Sequence, residues 1–527
     1  MKYIKTYTSV LILGLIIMMT GCKKYLSSFP QENQYNASDI NYADLTAMYQ
    51  PVSGIYRAAG GENPGFCHWM DVFIRGVRGD DLDKGSSEAD QSQLNDIKFF
   101  KNSSASVQTF WGTNNCWNDY YALVISSNSA LSELDKFAAN IQSSDAANLA
   151  RYKQYTSEVR FFRAFAHLAI SRVFGDVPVL TDNATISGIG KTKFEDVRKF
   201  IVSEMDECIP NLEDAAPATA THIGAVTKYS ALLLKAKAAA DIAGNDNGST
   251  YWDTVLDCTN QIINGGKFAL YPDYYQLFKL PGKMSSESLF ELQFSDFGTP
   301  TGDNVEPALF FISEGPRGDQ HGSNINGWGF MNPSQAFVDF LKSRNDNIRL
   351  QTSVMYCDTG YFPKRWNAEA TDNDKLANRY GVTASGDTVW NNTDGNKYFN
   401  GKAYLPASQM TPGRTDYGSN NNVRILRYAD VLLLNAEAKI RKGQNGDAQI
   451  NLVRNRAGLS SLTNATMQNV IDERRAEFGC EWWGERYNDL LRTGTAATAL
   501  SAYGFVSGVS DYIPIPQTQI DLDQNLK

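Results

Sequence analysis

Apolar residues recur at helical spacing along most of the chain. Within 117–137, Leu123, Ser127, Leu131 and Leu134 fall along one side. Within 152–173, Phe162, Phe165, Ala169 and Val173 do the same, while Arg160, Arg163 and His167 form a polar stripe. That second segment stops at Gly175-Asp176-Val177-Pro178, where Gly permits a left-handed turn and Pro forbids continuation. Helices are also predicted over 42–59, 194–209 (closed by Pro210), the Ala-rich 226–240, and 252–263, which ends at Gly265-Gly266. They arrive mostly as pairs with short connections, which predicts a mostly α, helix-hairpin scaffold. No strict 34-residue self-similarity is visible, so a regular tetratricopeptide array does not follow from the sequence alone.

The pattern changes from about 280 to 422, where Gly, Asn, Asp, Ser and Thr dominate around a predicted strand at 288–294 and a helix near 333–342. Tyr361, Phe362, Trp366, Tyr380, Trp390, Tyr398, Phe399, Tyr404 and Tyr417 are scattered through its less periodic part. Long irregular segments inside compact domains are functional or disordered, and the aromatic content argues against disorder. A loop-built binding surface is the economical reading. Helical spacing returns over 425–442, 447–456, 467–479 and 482–492. The first of these is apolar nearly all round, as expected of a helix sandwiched between others. One interrupted domain over 22–527 is predicted, with a scaffold at 40–279 and 425–495 and an irregular insert at about 280–422.

The N-terminus sets the compartment. Lys2 and Lys5 precede an apolar run over 10–19, the anatomy of a secretory signal and too short to span a bilayer comfortably. Met19-Thr20-Gly21-Cys22 suits lipoprotein processing, so residues 1–21 read as a signal peptide and Cys22 as the lipid anchor. A formal charge of −9 argues against nucleic acid as the main partner, leaving membrane contact to the lipid. Six further cysteines are widely spaced and show no C-x-x-C pattern, so zinc is not indicated; most are expected to be free and buried.

Several stretches together resemble the SusD-like (RagB-like) family of outer-membrane nutrient-binding lipoproteins. They are the lipobox with Cys22, then 158–178 (EVRFFRAFAHLAISRVFGDVP), 427–439 (RYADVLLLNAEAK), 450–459 (INLVRNRAGL), 471–492 (IDERRAEFGCEWWGERYNDLLR) and 512–516 (YIPIP). The resemblance implies helix pairs like tetratricopeptide units as a scaffold and an irregular insert carrying the ligand site. It also implies a non-catalytic role: a lipid-anchored outer-membrane protein, at the cell surface, that delivers glycans or other nutrients to a SusC-like TonB-dependent transporter. One departure is that Lys23 and Lys24 follow the anchor, where the family tends to be acidic. That leaves open whether the protein faces the surface or the periplasm.

Candidate chemistry is consistent with binding. Glu473, Glu477, Glu481 and Glu485 recur every four residues among arginines. Paired carboxylates are what glycoside hydrolysis needs, but this spacing on a helix favours ion-pair networks. There is no nucleophile elbow, P-loop or H-E-x-x-H motif, and no cofactor is expected. His167 reads as a hydrogen-bonded helix residue. Asp80-Asp81-Leu82-Asp83 lacks the rest of a twelve-residue calcium loop, so a solvated turn is the stronger reading and a structural calcium ion the weaker. Sugar recognition wants flat aromatic faces beside carboxylates, amides and arginines. The candidate ligand residues are therefore Trp69, Arg78, Asp80 and Asp81 near the N-terminus, and Trp328, Tyr361 and Trp366 in the insert. Gly-flanked Trp328 leads, because small neighbours let a ring stand clear of the fold. The competing readings are a surface glycoside hydrolase or carbohydrate esterase, and a peptide-binding or structural module.

Overall fold

The computed structural model describes residues 40–60, 69–102, 104–184, 188–294, 313–315, 327–356, 380–390, 397–409 and 420–527. Cys22, Tyr361 and Trp366 lie outside the described residues, as do Cys67 and Cys357. The chain enters through helices α1 (Gln50–Gly60) and α2 (Trp69–Gly76) and strand β1 (Leu82–Gly85). Five long helices follow: α3 (Trp111–Ala138), α4 (Ala146–Phe174), α5 (Phe194–Cys208), α6 (Lys228–Ala243) and α7 (Tyr251–Asn264). Each packs on the one before it, and α7 hands over to the C-terminal helices α10 (Tyr428–Arg441), α11 (Asp447–Arg456), α12 (Met467–Phe478) and α13 (Glu485–Arg492). The fold is mostly α, a tetratricopeptide-like stack of helix pairs.

Local chemistry explains the boundaries. The Asp145 carboxylate accepts from the Asn148 N–H at 3.0 Å, so α4 starts earlier than its apolar periodicity suggests. It stops at Gly175, whose φ of +76° suits glycine, and a Cβ there would sit 2.6 Å from the Tyr512 ring. Asp176 then accepts from the Phe194 N–H at 2.8 Å and starts α5. The Gly-Asp-Val-Pro stop and the C-terminal Tyr-Ile-Pro-Ile-Pro stretch are thus one packed corner.

The insert is closed at its base by β2 (Ser288–Leu292) and β8 (Val423–Arg427), antiparallel and buried at every position. This corrects the expected helix over 425–442: pairing with β2 keeps the chain extended through Arg427, and α10 begins at Tyr428. Likewise α13 begins at Glu485 rather than 482. Gly484 precedes it at φ +62°, and a Cβ there would come within 2.8 Å of the Arg75 carbonyl oxygen. Inside the insert, β3 (Phe330–Pro333) pairs with β1, which ties the insert to the N-terminal part of the scaffold. Ser334 then caps α8 (Gln335–Ser343), followed by α9 (Asn347–Ser353). Strand β4 (Val354–Tyr356) pairs with β7 (Tyr398–Asn400), and β5 (Tyr380–Val382) with β6 (Thr388–Trp390).

A continuous buried apolar cluster draws residues from Met48 to Leu526. Set into it is a buried network of charges. Glu477 meets Arg349 (3.0 Å), Arg427 (3.0 Å) and Arg456; Arg427 also meets Glu287 and Glu481, and Arg349 also meets Asp346 and Glu473. Burial alone would raise the Glu477 carboxyl, but Arg456, Arg349, Arg427 and Lys402 outweigh it and hold it well below the usual range. The four-residue glutamate series therefore belongs to the scaffold, as its spacing predicts. Cys116, Cys208, Cys258 and Cys480 are buried free thiols. His167 is buried, its Nδ1–H donating to the Arg163 carbonyl at 2.8 Å while Nε2 accepts from the Leu180 N–H at 3.2 Å. Burial lowers its pKa to about 4, so it stays a neutral structural residue.

Two predictions follow from these buried groups. Glu477→Gln leaves three guanidiniums short of a shared anion, and breaking a buried pair costs about 3–5 kcal/mol. Its thermal midpoint should fall sharply, or the protein should fail to accumulate; an unchanged midpoint would contradict the scaffold role. Glu158 is buried beside the hydroxyls of Tyr56 (2.7 Å) and Tyr49 (3.4 Å), and burial pushes its pKa from 4.5 up to about 7. The folded state then binds this proton more tightly than the unfolded chain. Glu158 thus contributes stability below about pH 4.5 that is lost as pH rises to about 7. Thermal midpoints of Glu158→Gln against the parent should show a flatter decline across that window.

Candidate functional site

Three tryptophans from distant parts of the chain meet at one place. Trp69 opens α2, Trp111 opens α3, and Trp328 lies between Gly327 and Gly329 just before β3. The Trp69 ring sits edge-on to Trp328 at 5.3 Å and is tilted against Trp111 at 5.6 Å. Behind them, the buried Phe73 and Phe330 pack on Trp69 at 5.2 and 5.9 Å and on each other at 5.0 Å. Trp69 and Trp328 are half-buried, and Trp111 is 42% exposed. The rings thus form an aromatic surface footed on the core and open at its edge.

The backbone makes this approach possible. Gly329 lies at φ +74°, and a Cβ on Gly85 opposite would come within 2.3 Å of the Gly329 carbonyl. That carbonyl accepts from the Ser86 N–H. A side chain at Gly85 would separate β1 from β3 and pull Trp328 away from Trp69. Polar groups rim the cluster. The Trp111 Nε1–H donates to the Gln91 side chain at 3.1 Å. The Lys84 ammonium holds the loop below by donating to the carbonyls of Gly85, Ser87 and Asp90. On the buried side of the same two helices lie the carboxyls of Asp71 and Asp119. Burial and the Asp119 charge push Asp71 well above the usual carboxylate range, and burial pushes Asp119 up to about 7. The pair keeps a proton at neutral pH, so the footing of the cluster carries less charge than its residues suggest.

The other N-terminal candidates, Arg78, Asp80 and Asp81, are tied into the scaffold. Arg78 is buried, donating to the Tyr487 hydroxyl at 2.8 Å and the Ser510 carbonyl at 2.7 Å, with its guanidinium over the Tyr487 ring. Asp80 pairs with Arg486 (2.7 Å) and Arg475 (3.0 Å), and Asp81 with Arg475 (2.7 Å). Burial would raise Asp80, but the two arginines outweigh it and hold the carboxyl low. The turn after α2 runs beneath α12 and α13, so these side chains meet guanidiniums rather than solvent. They position the scaffold and have little left to offer a ligand. Asp83 pairs with Lys98 at 2.9 Å, and among the described residues no three metal-ligating side chains gather.

Trp111 escaped the sequence reading because the helical periodicity was traced only from Trp117. Its signal was present in principle: a large ring beside Gly112, at the head of a helix. Trp482 and Trp483 pack into the scaffold, the first donating to the Arg424 carbonyl and the second set edge-on to Phe165. Chemically, the cluster offers apolar ring surfaces with an amide nearby. The glutamates that could suggest hydrolysis are committed elsewhere, among arginines.

Residues 286–527 match the SusD family profile, and residues 80–232 match one described as starch-binding and associating with the outer membrane. A SusD-like protein of Bacteroides ovatus is 24% identical over 69% of this chain and 63% of its own length. The starch-binding protein SusD of Bacteroides thetaiotaomicron is 23% identical over 70% of this chain and 71% of its own. Among solved structures, a surface glycan-binding protein A from Bacteroides thetaiotaomicron, in complex with laminarihexaose, superposes with a TM-score of 0.71. It is 24% identical and covers 92% of this chain and 98% of that one. No described helix is long and apolar enough to cross a membrane. With both profiles falling on the scaffold and its insert, and the motifs read from the sequence folded into one core, the chain belongs to the SusD-like family.

Proposed function

We propose that this protein is a lipid-anchored, non-catalytic glycan-binding protein of the outer-membrane surface that passes its ligand to a SusC-like TonB-dependent transporter. The observation carrying this reading is the convergence of Trp69, Trp111 and Trp328 in one partly exposed cluster. Indole faces match the apolar C–H faces of sugar rings, and separate rings let successive residues of a glycan rest on separate platforms. A laminarihexaose-bound structural neighbour and a starch-binding relative support an oligosaccharide or polysaccharide as the ligand. Binding without cleavage is supported by the fate of the carboxylates: Glu473, Glu477, Glu481 and Glu485 are all buried and paired with Arg or Lys. Anchorage at Cys22 supplies the membrane contact, and the transporter follows from the family.

Trp111→Ala removes the most exposed of the three rings, and Trp328→Ala removes its partner across Trp69. Losing a central aromatic contact costs about 2 kcal/mol, so each should weaken binding to laminarin or starch roughly 30-fold in affinity electrophoresis. Thermal midpoints should stay near the parent value for Trp111→Ala. Unaltered binding in both variants to every glycan the parent retains would sink the assignment, as would new reducing ends accumulating with the parent protein. Cys22→Ala should release the protein from the membrane fraction, and proteinase K added to intact cells should digest the anchored form if it faces outward.

A further inference from the structure

A second concave site lies where α4, α5, α6 and α13 end or begin near the C-terminal tail, and it shares no residue with the tryptophan cluster. It is a cleft of about 380 Å³, within the range of small-ligand sites. Three aromatic side chains wall it: Phe194 from the start of α5, and Phe505 and Tyr512 from the tail. Between them open the side chains of Asn245, Asn488 and Asp511.

The charges at its floor are already satisfied. Arg172 is locked to Asp241 at 3.0 Å, and Arg492 to Glu437 and to Asp489 at 2.9 Å. These pairs present a polar but locally neutralised surface, which gives an ionic ligand no unpaired countercharge. The rim is different. The Tyr512 hydroxyl makes no hydrogen bond among the described residues. Asn245 uses only its carbonyl, accepting from Arg441, and Asn488 only its amide, donating to the Trp483 carbonyl at 3.5 Å. The Asp511 carboxylate accepts, among the described residues, only from the Gly508 N–H, at 3.1 Å to each oxygen. The open valences are therefore a hydroxyl, an amide donor, an amide acceptor and carboxylate lone pairs, set among ring faces. With Arg172 and Arg492 held in their own ion pairs, the Asp511 carboxylate at the rim disfavours anions.

We infer that this cleft binds a neutral polyhydroxylated ligand, a mono- or disaccharide, as a second site separate from the tryptophan cluster. Its apolar C–H face lies against Phe194, Phe505 or Tyr512, while its hydroxyls donate to Asp511 and Asn488 and accept from Asn245. Two separate sites on one anchored scaffold would let a polymer and a short oligosaccharide be bound at the same time. The choice of sugar as ligand draws on the glycan-binding reading, but the cleft and its open valences do not.

The test uses the full chain in a sugar-free detergent, with laminaribiose and maltose as probes in saturation-transfer NMR and laminarin or starch in affinity electrophoresis. Ala497 and Ser507 line the cleft from its exposed rim, so Ala497→Trp and Ser507→Trp fill it without removing a hydrogen bond of the scaffold. Asp511→Ala removes the carboxylate instead. Each should cut the disaccharide signal at least fivefold and leave polymer retardation and the thermal midpoint unchanged, whereas Trp328→Ala should weaken polymer retardation and spare the disaccharide signal. A disaccharide signal that survives Ala497→Trp, or that disappears with Trp328→Ala alone, overturns the second site. So does the absence of any disaccharide signal in a parent protein that still retains polymer. If the parent retains no polymer yet shows a disaccharide signal that Ala497→Trp abolishes, the cleft stands and the tryptophan reading falls.

Discussion

Buried Glu477 and the guanidiniums around it set the geometry on which the rest depends. Arg349 comes from α9, Arg427 from the end of β8, and Arg456 from the end of α11, and all three reach one carboxylate on α12. Taking such charges out of water costs several kcal/mol per ion, and that cost is offset only where nearly every donor finds an acceptor. Here the partners are shared: Arg427 also holds Glu287 and Glu481, and Lys402 holds Glu481 at 2.8 Å. A displaced arrangement would strand ions in an apolar interior. The network therefore specifies one position for the base of the insert against the C-terminal helices, more than it adds net stability.

A second set of pairs continues the same logic toward the other end of the scaffold. Arg474 joins Asp430 and Asp489, Lys237 joins Asp430 and Glu485, and Arg172 and Arg198 share Asp241. These contacts cross from α12 to α10, α6, α4 and α5, so the helix pairs are linked by ions as well as by apolar packing. The two candidate binding surfaces lie at different places on this frame. The tryptophan cluster stands where the insert meets α2 and α3, and the cleft stands where the paired helices meet the tail.

Both surfaces are edges of the core and not loops laid upon it. Trp69 packs on Phe73 and Phe330, which are buried, and Tyr512 lies against Gly175 at the end of α4. Rings held this way lose little freedom on binding, so ordering them costs a ligand little of its contact energy.

The helical stack was legible in the amino-acid sequence because its signals are local. The apolar repeat of α3 through α7, the Gly175-to-Pro178 stop, and glutamates spaced by four among arginines each depend on residues a few positions apart. The motifs that mark the family are of the same kind. What only the tertiary structure decided were contacts whose partners lie far along the chain. Asp80 and Arg486 are 406 positions apart, so nothing near Asp80 distinguished a buried scaffold carboxylate from one free to meet a sugar. Pairing of β8 with β2 overrode the helical pattern of residues 425–427 for the same reason. Trp69, Trp111 and Trp328 became a site only when β1 paired with β3 and α2 packed on α3, because a ring's exposure is set by what folds against it.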